Sequence, residues 1–136
     1  MRQIETALHD ATTSYGRIRY HRPPHDEPDF AWVNLDDIMR MLKMPMGLRI
    51  EMLRAIQEDW KEDLKTIATS EGIVTICPHY MIQGLFDAWI QEGFAGNDIL
   101  ETYLAEGMRA SKKLTEGWST EDRRAFMFAA LTRSAN

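Results

Sequence analysis

The spacing of hydrophobic positions divides the chain into short β-type runs and longer helical ones. Tyr15-Gly16-Arg17-Ile18-Arg19-Tyr20 alternates large and basic side chains, which predicts a strand with one apolar and one cationic face. Pro23 and Pro24 end it, since neither can donate to a ladder. Beyond a polar turn at residues 25–29, Phe30-Ala31-Trp32-Val33 reads as a second strand, making a hairpin with a long loop. Asn34 is placed to cap a helix whose first turn holds Asp36 and Asp37, where carboxylates favour the helix dipole. That helix carries Leu35, Ile38, Met39, Met41 and Leu42, and Pro45 with Gly47 closes it. A longer helix over about residues 48–64 follows, with Leu48, Met52, Leu53, Ile56, Trp60 and Leu64 as its apolar stripe.

A second hairpin signal comes next. Residues 66–69 and 73–76 are β-branched runs separated by Ser70-Glu71-Gly72, where glycine supplies the left-handed conformation of a three-residue loop. Pro78 ends the second run and opens a helix. In that helix Tyr80, Met81, Ile82, Leu85, Phe86, Trp89 and Ile90 cover more than one stripe, so we expect it to be the most buried element. Asn97 is placed to cap a further helix with Ile99, Leu100, Tyr103, Leu104 and Met108. Ser119 and Asp122 form an approximate capping pair for the last helix, which offers Phe126, Met127, Ala130 and Leu131 to a partner surface. The order ββααββ followed by helices predicts an α+β fold: two β-hairpins packed with about five helices, and a helical C-terminal third. No repeat or low-complexity linker interrupts residues 1–136, so a single domain is expected.

Composition narrows the class without naming a function. The apolar fraction is 44% and the charged fraction 27%, ordinary values for a globular protein. Cys77 is the only cysteine, which excludes an intrachain disulfide framework and a thiolate zinc site. No apolar run reaches membrane-span length, and the first residues lack the apolar core of a secretory signal; a cytoplasmic protein is expected. The net charge of −5 is uneven: residues 1–25 carry four basic and two acidic residues, residues 26–106 six and sixteen, residues 107–136 six and three. The acidic middle disfavours indiscriminate coating of DNA, while the basic ends leave local phosphate recognition open.

Candidate chemistry is sparse. His21 and His25 are four apart, but Pro23-Pro24 between them rules out a shared helical face, so a metal pair is disfavoured against loop histidines or phosphate contacts. Cys77 and His79 flank a proline without any catalytic motif, and a lone Cys at a strand end is usually a small core residue. The pairs Asp36-Asp37, Glu58-Asp59 and Glu62-Asp63 read as solvated faces, and no phosphate-binding glycine loop occurs. No catalytic, cofactor or metal residue is therefore expected. Two clusters remain. Arg17, Arg19, His21 and Arg22, with Tyr15 and Tyr20, could contact nucleic acid, or simply form a solvated strand face. Met39, Met41, Met44 and Met46, and Arg123 and Arg124 on the last helix, could hold a partner, although the methionines could equally fill a core around Pro45.

Residues 15–90 resemble the N-terminal domain of phage antirepressors, the Bro-N and P22-antirepressor-type group. The resemblance lies in the strand at residues 15–20 before an acidic loop, and in Trp32-Val33-Asn34-Leu35-Asp36-Asp37-Ile38-Met39-Arg40-Met41-Leu42. That second stretch is similar to the group's strand-to-helix entry. The hairpin at residues 66–76, Cys77-Pro78 and the helix with Gly84-Leu85 continue it, and residues 97–136 stand as a helical extension. Lys43 departs from the group, occupying the position usually taken by a glycine after the helix's last leucine. The resemblance implies a non-enzymatic phage or mobile-element type regulator that binds a repressor-like protein or DNA, and a homo-oligomer is expected. The alternative is a small-molecule binder or small enzyme with a pocket of Trp32, Trp60, Trp89 and methionines, helped by His79 or Asp36.

Overall fold

The computed structural model describes residues 4–135, and Arg2, counted above among the basic residues, lies outside them. Its elements are β1 (Ile4–Glu5), β2 (His9–Thr13), β3 (Gly16–His21), β4 (Trp32–Asn34), α1 (Leu35–Met41), α2 (Met46–Asp59), a 3-10 turn (Lys61–Asp63), β5 (Lys65–Thr69), β6 (Gly72–Cys77), α3 (His79–Gln91), α4 (Asn97–Leu114) and α5 (Thr120–Ala135). The fold is α+β with a helical C-terminal part. Both expected hairpins form, but within one six-stranded sheet of order β1-β5-β6-β4-β3-β2. β1 pairs in parallel with β5 at one edge, and β2 lies at the other, only three residues further along the chain. Closing both edges with so short a connection curls the sheet. Leu8 N–H, within that connection, already bonds Tyr20 O at 2.8 Å. No helix among the described residues is long and apolar enough to cross a membrane.

Alternation along β3 separates two environments. Ile18 and Tyr20 enter the main core with Val33, Leu35, Ile38, Phe86 and Tyr103, while Arg17, Arg19 and His21 face the other way. On that second side Trp32, Ile67 and Ile76 form a smaller buried cluster. Asn34 caps α1 as its position predicts: its side-chain oxygen accepts the Asp37 N–H at 3.1 Å. The helix ends on Lys43, at φ 57, with Lys43 N–H bonded to Arg40 O and Met44 N–H to Met39 O. This is a Schellman ending with lysine where glycine is usual.

Several expectations need correction. The most buried helix is α1 rather than α3, because α1 runs straight out of the central strand β4 and is enclosed by β3 and β6. Leu35, Asp37, Ile38, Met39 and Met41 are buried in α1, against Ile82 and Phe86 in α3. Pro45 stands at the N-cap of α2, with Gly47 inside the helix, so these residues open the second helix as much as they close the first. α2 stops at Asp59, and the 3-10 turn takes the chain into the extended β-branched run of β5. A strand unforeseen in the sequence, β2, pairs with β3 over its whole length.

Candidate functional site

The cationic strand face is an internal ion-pair network. Arg17 holds Asp10 through Nε and Nη2 (2.9 and 2.7 Å) and Glu71 through Nη1 and Nη2 (2.8 and 2.9 Å). Arg19 reaches Glu71 at 3.0 Å and clasps Asp37 at 2.9 and 2.7 Å, while its backbone N–H also donates to Asp37 at 2.9 Å. That N–H faces the gap left where β4 turns into α1, so the carboxylate replaces the missing ladder partner. The hydrogen bonds from Arg17 hold both Asp10 and Glu71 below their ordinary carboxylate range. Three carboxylates thus meet two guanidiniums, so a phosphate at Arg17 or Arg19 would have to compete with ion pairs already formed. His21 is 3% exposed, and neither ring nitrogen has a protein partner among the described residues. Burial pushes its pKa down, with Arg19 adding to the effect, so the ring is neutral near pH 7. His21 is therefore enclosed, and of the four expected nucleic-acid residues Arg17 and Arg22 are exposed, Arg17 within its ion pairs.

The methionine cluster divides similarly. Met39, Met41 and Met44 are core residues, 2%, 2% and 4% exposed, because α1 and its Schellman turn are enclosed. They present no surface to a partner, whereas Met46, at the start of α2, is exposed. Arg123 is half-buried and donates to Thr115 O at 3.1 Å, so it joins α5 to the end of α4, while Arg124 is exposed.

The three expected pocket tryptophans do not converge. Trp32 Nε1 bonds Asp29 at 2.9 Å, Trp89 Nε1 bonds Leu42 O at 3.1 Å, and Trp60 borders a different cleft with Tyr80 and Met52. Asp36 is exposed and pairs with Arg40 and Arg49. Cys77 is buried, its thiol pKa raised by desolvation, and its sulfur sits 3.8 Å from Val33 O. His79 turns instead to Tyr103, Nδ1 to hydroxyl at 2.8 Å. Cys77 and His79 are thus not hydrogen-bonded, and His25 bonds Asp29 at 3.1 Å. Among the described residues no group of three or more His, Cys, Asp or Glu side chains could hold a metal ion.

The structure gathers instead an aromatic cavity of about 240 Å³, bounded by Tyr20, Phe30, His79, Tyr103, Gly107 and Leu131 among others. The phenol of Tyr20 donates to Tyr103 O at 2.8 Å, and Ser111 Oγ accepts the Ala31 N–H at 3.0 Å. Burial lowers the His79 pKa and raises that of Tyr103, so both rings are neutral. Met108 on α4 and Leu131 on α5, which line the cavity, are 53% and 56% exposed, and Phe128 on α5 is 74% exposed. Arg124, Phe128 and Leu131 are spaced i, i+4 and i+7 on one face of α5, and Leu131 and Met108 both line the cavity. The sequence singles out His79 as polar help to a tryptophan-lined pocket and Leu131 for a partner surface, but holds no signal for Tyr20, Phe30 and Tyr103 as a group. Compared with protein-family models, curated proteins and solved structures, the chain matches none of them.

Proposed function

We propose that the protein is a non-enzymatic regulator of the antirepressor-like kind, which works by binding a repressor-like protein through the face that α4 and α5 present. The observation that carries this reading is the run of exposed apolar side chains Met108, Phe128 and Leu131, flanked by Arg124. Contiguous exposed apolar residues rimmed by charge are the usual mark of a protein-binding surface. The engagement of Arg17 and Arg19 by Asp10, Asp37 and Glu71 favours a protein over DNA as the partner. A phosphate would have to displace carboxylates already held bidentately. The same apolar face supports self-association when no partner is present, and the net positive charge of residues 107–136 suits an acidic rim on the partner.

The test is light scattering coupled to size exclusion, with the chain alone and mixed with a candidate repressor. We expect a dimer alone and a mixed complex with the repressor, both lost in Phe128→Glu with circular dichroism unchanged. A monomer that forms no complex would remove the proposal. Binding of random duplex DNA that weakens with salt and disappears in Arg17→Gln/Arg19→Gln would transfer the function to DNA.

A further inference from the structure

We infer that the aromatic cavity beneath α5 is a binding site for a small planar aromatic molecule bearing one hydrogen-bond acceptor, of the aryl ketone, aryl aldehyde or pyridine class. Size is the first reason. Apolar cavities of about 150 Å³ take up benzene, and this one measures about 240 Å³, room for a ring with a short substituent. The walls are the second. Tyr20 and Tyr103 stack with centroids 6.0 Å apart, His79 stacks on Tyr103 at 5.7 Å, and Phe30 meets His79 edge-on at 5.5 Å. A further ring entering this cluster meets both faces and edges, the two arrangements that aromatic pairs prefer.

The space has a sequence origin. α4 presents Tyr103, Gly107 and Ser111 to the cavity at i, i+4 and i+8. A Cβ at Gly107 would stand 3.6 Å from the Tyr20 ring, so any side chain longer than alanine would occupy the cavity. Glycine is a poor helix former, and here it sits in the interior of an 18-residue helix.

The polarity selects the ligand's functional group. Tyr103 OH is buried, and His79 Nδ1 is its one hydrogen-bond partner among the described residues, so the phenol proton goes to Nδ1. In the tautomer that accepts this proton the imidazole N–H is on Nε2, which bonds no protein group among the described residues. His79 lines the cavity, and a donor on that wall calls for an acceptor on the ligand.

The site does not depend on the partner-binding reading, and its test reads a different quantity. Acetophenone and ethylbenzene have nearly the same shape and differ in the acceptor. By titration calorimetry and ligand-observed NMR, acetophenone should bind wild type at one site, about fivefold more tightly than ethylbenzene, the worth of one net hydrogen bond. In His79→Phe the two should bind equally, and in Gly107→Leu the affinity for both should fall at least about tenfold, as expected when the occupied volume is filled. Phe128→Glu, which disables the partner face, should leave acetophenone binding unchanged. Nuclear Overhauser contacts from the acetophenone ring to Tyr20 and Leu131 in wild type locate the ligand even if Gly107→Leu fails to fold. Absence of binding at millimolar concentration, contacts only to other residues, or undiminished binding by a folded Gly107→Leu protein would overturn the inference.

Discussion

Asp37 is the residue on which the junction of sheet and helix turns. It is 5% exposed, takes the Arg19 backbone N–H and both arms of the Arg19 guanidinium, and receives the cap from Asn34 through its own N–H. Removing the Asp37 charge leaves the largely enclosed Arg19 with only the exposed Glu71 as its ionic partner. We expect Asp37→Asn to cost about 3 kcal/mol in urea unfolding, whereas Asp36→Asn, at an exposed pair one residue away, should change stability by no more than about 0.5 kcal/mol. Equal effects would show that the clasp contributes nothing special. The buried histidines set a pH dependence. Burial lowers the pKa of His21 and of His79 below 6.5 in the folded chain. The unfolded chain then binds more protons once the pH drops below 6.5, so stability is full above that value and declines as the solution is acidified toward the folded pKa values. Asp10 and Glu71 are shifted downward from 3.8 and 4.5. Their contribution is therefore present above about pH 4.5 and is lost only in a second, more acidic window. Stability measured between pH 7.5 and 5 should fall in wild type and fall less steeply in His21→Phe; parallel curves would remove His21 from the account.

Single elements show what was legible in the sequence. The α1 cap at Asn34, the β5–β6 hairpin and the Ser119 cap, whose hydroxyl oxygen accepts the Asp122 N–H at 3.1 Å, rest on local chemistry and could be read directly. The hairpin of β2 and β3 was missed, although its turn repeats a legible one. Thr13-Ser14-Tyr15-Gly16 and Thr69-Ser70-Glu71-Gly72 are built alike: the threonine hydroxyl donates to the glycine carbonyl at 2.8 Å and accepts the third residue's N–H at 3.1 Å. Both glycines have positive φ, 127 and 114. What hid the first turn is β2 itself, His-Asp-Ala-Thr-Thr, which has no large apolar side chain to reveal its alternation. The helix ending at Lys43 was legible as a departure, and the structure shows its consequence, a side chain carried at φ 57. Lys43→Gly should raise stability by about 0.5–1 kcal/mol, after the larger entropy of glycine in the unfolded chain is subtracted. Thermal unfolding checks this, and a lowered midpoint would mean that the lysine makes up for its backbone elsewhere.

Across the whole molecule, the groupings that sequence spacing could not show are those joined late in the chain. Tyr20 bonds a carbonyl 83 residues away, and His9 bonds Glu106 at 2.9 Å and Lys113 at 2.9 Å. These ties fasten α4 to the sheet, so it belongs to the body of the fold. α5 is held more lightly. Ala130 is its one buried side chain among those described, and its polar ties are Arg123 to Thr115 O and Arg133 to Glu27 and Asp29. α2 likewise has no buried residue. Local opening is easiest where few apolar side chains are enclosed and most backbone bonds lie near solvent. Amide hydrogen exchange should therefore be fastest in α2 and α5 and slowest in α1, β4 and β6, with α4 close to the slow group. The ordering bears on both surfaces, since α5 carries Phe128 and Leu131 of the exposed apolar face, and Leu131 also lines the aromatic cavity. A ligand bound in the cavity against Leu131 should slow exchange in α5 before it changes β4. If α5 exchanges as slowly as α1 in the unliganded chain, its single buried side chain among those described and its few polar ties anchor it as firmly as the enclosed helix, and α5 is not lightly held.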